Sequence, residues 1–358
     1  MAVTDAVAAM LMRGGTSKGL YVLREDLPDD PADRDDLLLR LMGSPDPRQI
    51  DGVGGAHPLS SKVAVIAGSD DPDVDVEYLF LQVGVDEPLV SDRQNCGNLL
   101  AGVGPFAVER GLVAVGGDRA HVRIRMLNTA AVAVARFPLG PDGLPRYEGD
   151  VSISGVPGAA AAVELDFEAI AGGTCGALLP TGNHVDRLAD LDATCVDNGM
   201  PVVVVRATDV GVRGTESCAQ LEEDADLRDV VERLRLEAGH AMGLGDVSAT
   251  TIPKVTLLSP PEGEAAAATR TFIPHRCHTS IGVLGAVSVA TVCRLPGSVA
   301  EGIAPGSGGD HVVLEHPSGT FTATVALADG ADGPVVRRAG IVRTARKLMD
   351  GTVFPRPA

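Results

Sequence analysis

The sequence predicts an α+β protein of two pseudo-symmetric domains, each a curved mixed sheet around a buried helix. Three observations carry that expectation. At 358 residues the chain is too long for one small core. Two segments, Leu99–Glu109 and Ile281–Val292, are small or apolar on nearly every side, which is the pattern of a helix enclosed by protein. The order of features also repeats: a lysine opens a strand and a polar turn later opens a buried helix. This happens first at Lys62 and Asn95-Cys96-Gly97-Asn98, and again at Lys254 and Cys277-His278-Thr279-Ser280.

Taken in order, Ala8–Met12 and Leu20–Leu23 read as strands around a tight turn, Arg13-Gly-Gly-Thr-Ser-Lys-Gly19, whose amides and hydroxyls point into one space. A helix follows, capped by Asp29 or Asp30, opened by Pro31 and closed by Gly43. Residues 45–58 are a Gly/Pro-rich loop. Residues 61–66, 77–85, 122–126 and 132–137 read as strands, and 139–150 as a surface turn. Past Thr181–His184 come a strand at Val202–Arg206, an amphipathic helix at Cys218–Met242, a strand at Lys254–Leu258 and a mobile loop at Pro296–Asp310. Alternating strands close the chain. The expected domains are 1–188 plus 335–358, and 189–334.

Apolar residues make up 45% of the chain, with 43 Gly and no Trp, so the core must be built from small and β-branched side chains. The net charge of −18 argues against nucleic acid and anionic membranes as partners. It leaves an anionic substrate open, because a site needs only a local cluster of donors. No basic start precedes an apolar leader and no apolar run reaches membrane length. The six cysteines form no C-x-x-C pair and no zinc spacing, so thiols in a reducing cytoplasm are expected.

Only four lysines stand against many arginines: Lys18, Lys62, Lys254 and Lys347. Burial can bring a lysine into proton-exchange range, whereas arginine stays charged. Lys62, entering a strand from a Ser/Gly/Pro loop, reads either as a proton carrier in a cleft or as a strand-end surface residue. Cys96 sits where a helix dipole and unbonded amides favour a thiolate. It reads as a proton donor/acceptor or nucleophile, or else as an inert buried thiol beside a glycine cap. Thr16 and Ser17 are candidate carboxylate donors, and His278, Thr279 and Ser280 a candidate second wall. Two helix N-termini facing a cleft would hold a small carboxylate.

Several motifs resemble the PrpF family of the diaminopimelate epimerase-like fold: Met12-Arg-Gly-Gly-Thr-Ser-Lys-Gly19, Gly43-Ser-Pro-Asp-Pro-Arg-Gln-Ile-Asp-Gly52, Pro58-Leu-Ser-Ser-Lys62, Asn95-Cys-Gly-Asn98, Thr181-Gly-Asn183 and Pro253-Lys254-Val255. Gly102–Gly111 and Ile281–Val289 look most like the branch acting on 4-oxalomesaconate. The resemblance implies a cofactor-independent isomerase, without metal or nucleotide, moving a proton across an allylic unit of a small anionic polycarboxylate. It implies Lys62 and Cys96 as acid/base residues. Substrate contacts are then expected from Arg13, Gly15, Thr16, Ser17, Lys18, Gln49, Ser61, Asn95, Gly97, Asn98, Lys254, His278, Thr279 and Ser280. A homodimer is compatible with this reading. The second helix lacks a cysteine at its start, which disfavours a two-thiol racemase, and Met200 stands where the family places Asn. The competing readings are an aconitate-type C=C isomerase and a non-catalytic carboxylate-binding protein.

Overall fold

The computed structural model describes residues 6–93, 96–306, 308–331 and 333–357. The chain divides into two compact units. Unit 1 runs to Glu168 and resumes at Val342; unit 2 is Ala169–Ile341. The junctions lie at 168/169 and 341/342, where the sequence suggested 188/189 and 334/335.

Unit 1 contains β1 (Val7–Gly14), β2 (Ser17–Leu23), α1 (Pro31–Met42), β3 (Lys62–Gly68), β4 (Val76–Val83), β5 (Val90–Ser91), α2 (Gly97–Glu109), β6 (Arg119–Met126), β7 (Val132–Pro138) and β8 (Ala162–Phe167). Unit 2 contains β9 (Asp186–Leu188), β10 (Leu191–Asp197), β11 (Pro201–Arg206), α3 (Cys218–Glu223), α4 (Ala225–Ala241), β12 (Lys254–Ser259), β13 (Ala267–Phe272), α5 (Val283–Arg294), β14 (His311–His316) and β15 (Gly319–Gly330). Strand β16 (Gly333–Val353) begins in unit 2 and ends in unit 1.

The repeat is carried by strand pairing. In unit 1, β1–β2 is antiparallel, β2–β3 parallel, β3–β4 antiparallel, β4–β6 parallel and β6–β7 antiparallel. In unit 2, β10–β11, β11–β12, β12–β13, β13–β14 and β14–β15 follow the same alternation. The helices fall at matching places: α1 and the α3–α4 pair before the third strand, α2 and α5 before the fifth. Lys62 and Lys254 each open the third strand and each pair across a parallel ladder, with Gly19 and Val202 respectively.

Each sheet buries both faces. In unit 1, Val63, Val65, Leu20, Val22, Leu81 and Val83 pack on Leu37, Leu38, Leu41 and Met42 of α1. Period-2 alternation sends the intervening residues to the other face, which α2 covers. That helix lies close to the sheet because Gly102 and Gly104 lack side chains. A Cβ there would come within 2.5 Å of Tyr21 Oη and 2.7 Å of Phe137 Cε1. Asp30 caps α1 by accepting from the Ala32 and Asp33 amides, and Gly43 ends it at φ +79°.

Three local expectations are corrected. The helix expected over 218–242 is two helices, because Asp224 turns its side chain to the Leu227 amide and starts α4 afresh. Residues 296–304 are held rather than mobile: Arg206 donates to the Val299 and Glu301 carbonyls, and Ser298 to Val292 O. Helix α5 begins at Val283, with Gly282 as its N-cap, two residues later than expected.

Candidate active site

The α2-facing side of the unit 1 sheet gathers the chemistry. Gly14, Ser17, Gly19 and Tyr21 share that face on β1 and β2, Lys62 and Ala64 on β3, and Tyr78, Phe80 and Gln82 on β4. Lys62 is only 7% exposed. Its Nζ donates to Oε1 of its cross-strand partner Gln82 at 2.7 Å and sits 4.9 Å from the Phe80 ring centroid. The Gln82 amide cannot turn away, because Nε2 donates to the carbonyls of Pro58, Ser61 and Val83. Gly19 lets β2 approach, since a Cβ there would meet Lys62 O at 2.4 Å and Leu99 at 3.1 Å.

Cys96 is the N-cap of α2 and is buried. Its side chain does not cap the helix, so the amides of the first turn stay unsatisfied by it. The carbonyl side of the same turn is pinned. Cys96 O accepts from the Leu100 amide and from Tyr78 Oη at 3.5 Å, and Leu99 O accepts from Tyr21 Oη at 2.5 Å. Burial holds both tyrosines protonated, well above the usual phenol range. Ser17 Oγ is buried, faces this turn by strand alternation and has no partner among the described residues. Asn95 lies outside the described residues.

The turn between β1 and β2 is shorter than the sequence suggested. Only Gly15 and Thr16 lie outside the ladder, which puts Ser17, Lys18 and Gly19 in β2. Gly15 takes φ +51°, and a Cβ there would lie 2.2 Å from Asn98 Oδ1. Asn98 Oδ1 accepts from the Thr16 amide at 3.5 Å and from Arg343 Nε at 3.2 Å. Arg13 Nη1 is committed to Gly15 O, Thr344 O and Thr344 Oγ1, so it braces the turn.

Gln49 and Ser61, expected to touch substrate, are bonded within the loop. They are 1% and 0% exposed. Gln49 Nε2 donates to Ser44 Oγ, while its Oε1 accepts from the Ala56 amide and Ser61 Oγ. Ser61 Oγ also lies 3.0 Å from His57 O. Both polar groups of the Gln49 side chain are thereby used to tie residues 44–61 together. Lys18 Nζ reaches over this loop, 3.4 Å from where a Cβ of Gly55 would stand.

In unit 2, Lys254 and His278 are near enough that the lysine's charge helps lower the histidine's pKa, after burial. Burial, and then Arg235, lower that of Lys254. Ser280 donates its amide to His278 Nδ1 at 2.9 Å, and its Oγ lies 3.3 Å from His316 Nε2. Thr279 is exposed. His278 and Ser280 therefore form a local turn ahead of α5 and do not cap it. Gln82, Arg343, His316, Tyr21 and Tyr78 escaped the sequence reading. A Gln, a Tyr or an Arg inside an alternating strand has no local signature; only register and facing reveal it. Among the described residues no group of three His, Cys, Asp or Glu could hold a metal ion, and no helix is long and apolar enough to cross a membrane.

A buried lysine on the sheet face that α2 covers and a buried thiol at the N-cap position of α2 lie in one α+β epimerase-like unit. The chain belongs to the PrpF protein family, whose profile matches residues 5–356. It is 55% identical to the 4-oxalomesaconate tautomerase of Pseudomonas putida, covering 97% of this chain and 95% of the relative. It is 53% identical to the (4E)-oxalomesaconate Delta-isomerase of Novosphingobium sp. strain KA1, covering 98% of each. The crystal structure of a methylitaconate-delta-isomerase superposes with a TM-score of 0.89 at 33% identity, covering 98% of this chain and 95% of that one. The fold is the diaminopimelate epimerase-like one that the resemblance implied.

Proposed function

We propose that this chain isomerises 4-oxalomesaconate by a 1,3-proton shift, with Lys62 and Cys96 carrying the proton. The observation that supports it most is the placement of Lys62: buried, held by Gln82, and on the sheet face that α2 and Cys96 cover. One of the two removes a proton made acidic by the neighbouring carbonyl or vinylogous carboxylate. The first-turn amides of α2, Ser17 Oγ and the helix dipole stabilise the dienolate. The other returns the proton at the far end of the unit. No step calls for a metal or a nucleotide.

The two relatives above 50% identity carry names for different shifts, one a tautomerase and one a Delta-isomerase. Both begin with loss of a proton to a common dienolate, so both are open to the same site. The experiment incubates purified enzyme with 4-oxalomesaconate in deuterated water, following ultraviolet absorbance and proton NMR. A keto-to-enol shift returns the proton to oxygen and leaves no carbon-bound label from that step. A C=C shift leaves one deuterium on the distal carbon. No spectral change and no exchange would leave a carboxylate-binding protein in place of an enzyme.

A further inference from the structure

We propose that Arg343 is a positioning residue that fixes the amide of Asn98, so that Asn98 Nδ2 donates to the substrate oxygen that gains charge at the α2 N-terminus. The proposal rests on the oxalomesaconate reading above. Arg343 stands on β16 and is only 7% exposed. Its Nε donates to Asn98 Oδ1 at 3.2 Å and its Nη1 to Val342 O at 2.9 Å. Burial brings its pKa down to about 10, which leaves it charged at neutral pH.

An asparagine amide is a two-way element: one end accepts, the other donates, and a half-turn exchanges them. Two donors meet the same Asn98 atom, Arg343 Nε and the Thr16 amide, so that atom is the oxygen. The Nδ2 end then points elsewhere with two N–H groups and makes no bond to a described protein atom. Asn98 is the second residue of α2, two past Cys96 and in the turn that the buried, unpartnered Ser17 Oγ faces. A donor pair there adds to the first-turn amides around an oxyanion. Strand β16 locks the same corner twice, since Thr344 O, next to Arg343, accepts from the Gly15 amide at 2.8 Å.

The test is a double-mutant cycle on 4-oxalomesaconate turnover. Asn98→Ala is expected to lower kcat about a hundredfold, the scale of one oxyanion donor. Arg343→Lys keeps the charge and loses the planar Nε donor. It is expected to lower kcat at least about tenfold with KM changed less than about threefold. Arg343→Lys in the Asn98→Ala background should cost nothing further. Losses that multiply would overturn the proposal. A second measurement needs no Arg343 variant. The chain has five asparagines, so a wild-type sample labelled with 15N at asparagine gives a readable spectrum, and Asn98→Asp assigns the Asn98 amide. Saturating tricarballylate, an unreactive tricarboxylate, should shift that amide pair; an unmoved pair overturns the proposal. A shifted pair in an enzyme inactive on 4-oxalomesaconate supports the orientation of Asn98 and removes only the substrate reading.

Discussion

Lys62 and Gln82 face each other across the β3–β4 ladder, and Gln82 Oε1 receives Lys62 Nζ at 2.7 Å while Nε2 is anchored on three carbonyls. The lysine is thus aimed by a side chain that cannot flip without leaving donors or acceptors unmet. Lys62→Arg should lose about a hundredfold to ten-thousandfold in kcat, because arginine keeps the charge and cannot give the proton up near neutral pH. Gln82→Met, similar in length but without the acceptor, should lose at least about tenfold while remaining folded. Near-native turnover of Lys62→Arg in a steady-state assay would make Lys62 a charge anchor only.

Gln49 offers the contrasting case of a residue that matters through folding. Its side chain ties Ser44, Ala56 and Ser61 together at 1% exposure. Gln49→Ala removes three bonds made by a buried side chain and should destabilise the protein by about 1–3 kcal/mol. Denaturant unfolding reads that loss, and amide exchange should rise across residues 44–61. Substrate KM is expected to follow the loop's order, so a lower temperature should restore it in part.

In unit 2, the fully buried Arg235 is gripped by Glu232 through two bonds of 2.7 Å each. Those bonds, working against partial burial, hold the Glu232 carboxyl below its ordinary value of 4.5. A carboxyl depressed in the folded state contributes stability above its unfolded value and loses it as pH falls through the folded one. Unfolding free energy should therefore decline below about pH 5, and Glu232→Gln should both lower stability at pH 7 and flatten that decline. An unchanged acid slope in Glu232→Gln would assign the loss to other carboxylates.

The repeat was legible because it is written in one-dimensional features: a lysine at a strand start, a polar turn, a run of small apolar residues. The two enclosed helices were legible for the same reason, since Leu99–Val108 is buried on every side. Short and irregular strands were not. β8, β9 and β10 lack strict alternation, and their pairing is decided by neighbours far along the chain. The site divided in the same way. Lys62 and Cys96 announce themselves by flanking Gly, Ser and Asn, whereas Gln82 and Arg343 gain their roles only when β4 and β16 are laid beside Lys62 and Asn98. Gln49, placed among the substrate contacts by the family resemblance, spends its side-chain bonds on Ser44, Ala56 and Ser61, which only the folded loop reveals.

Cys96 carries the last prediction, and the other thiols sharpen it. None of the six is in a disulfide. Burial pushes Cys175 up to about 11 and Cys293 up to about 12, and it raises Cys195 and Cys277 further still. A thiol raised in this way is mostly protonated and a poor nucleophile until pH approaches that value. At pH 7.5 these four should resist limited alkylation, which leaves Cys96 and the half-buried Cys218 to compete. Cys96, at the start of α2, is expected to label first, as read by peptide mass mapping. Saturating tricarballylate should protect Cys96 and leave Cys218 unchanged. Cys96→Ser keeps the size and the hydrogen-bonding capacity while making the group a far weaker acid, so kcat should fall about a hundredfold to ten-thousandfold with little change in unfolding midpoint. A loss of only a few-fold would leave Lys62 as the sole proton carrier. Labelling of Cys218 alone, with Cys96 silent in the absence of tricarballylate, would mean that the thiol does not open onto the substrate's side of α2.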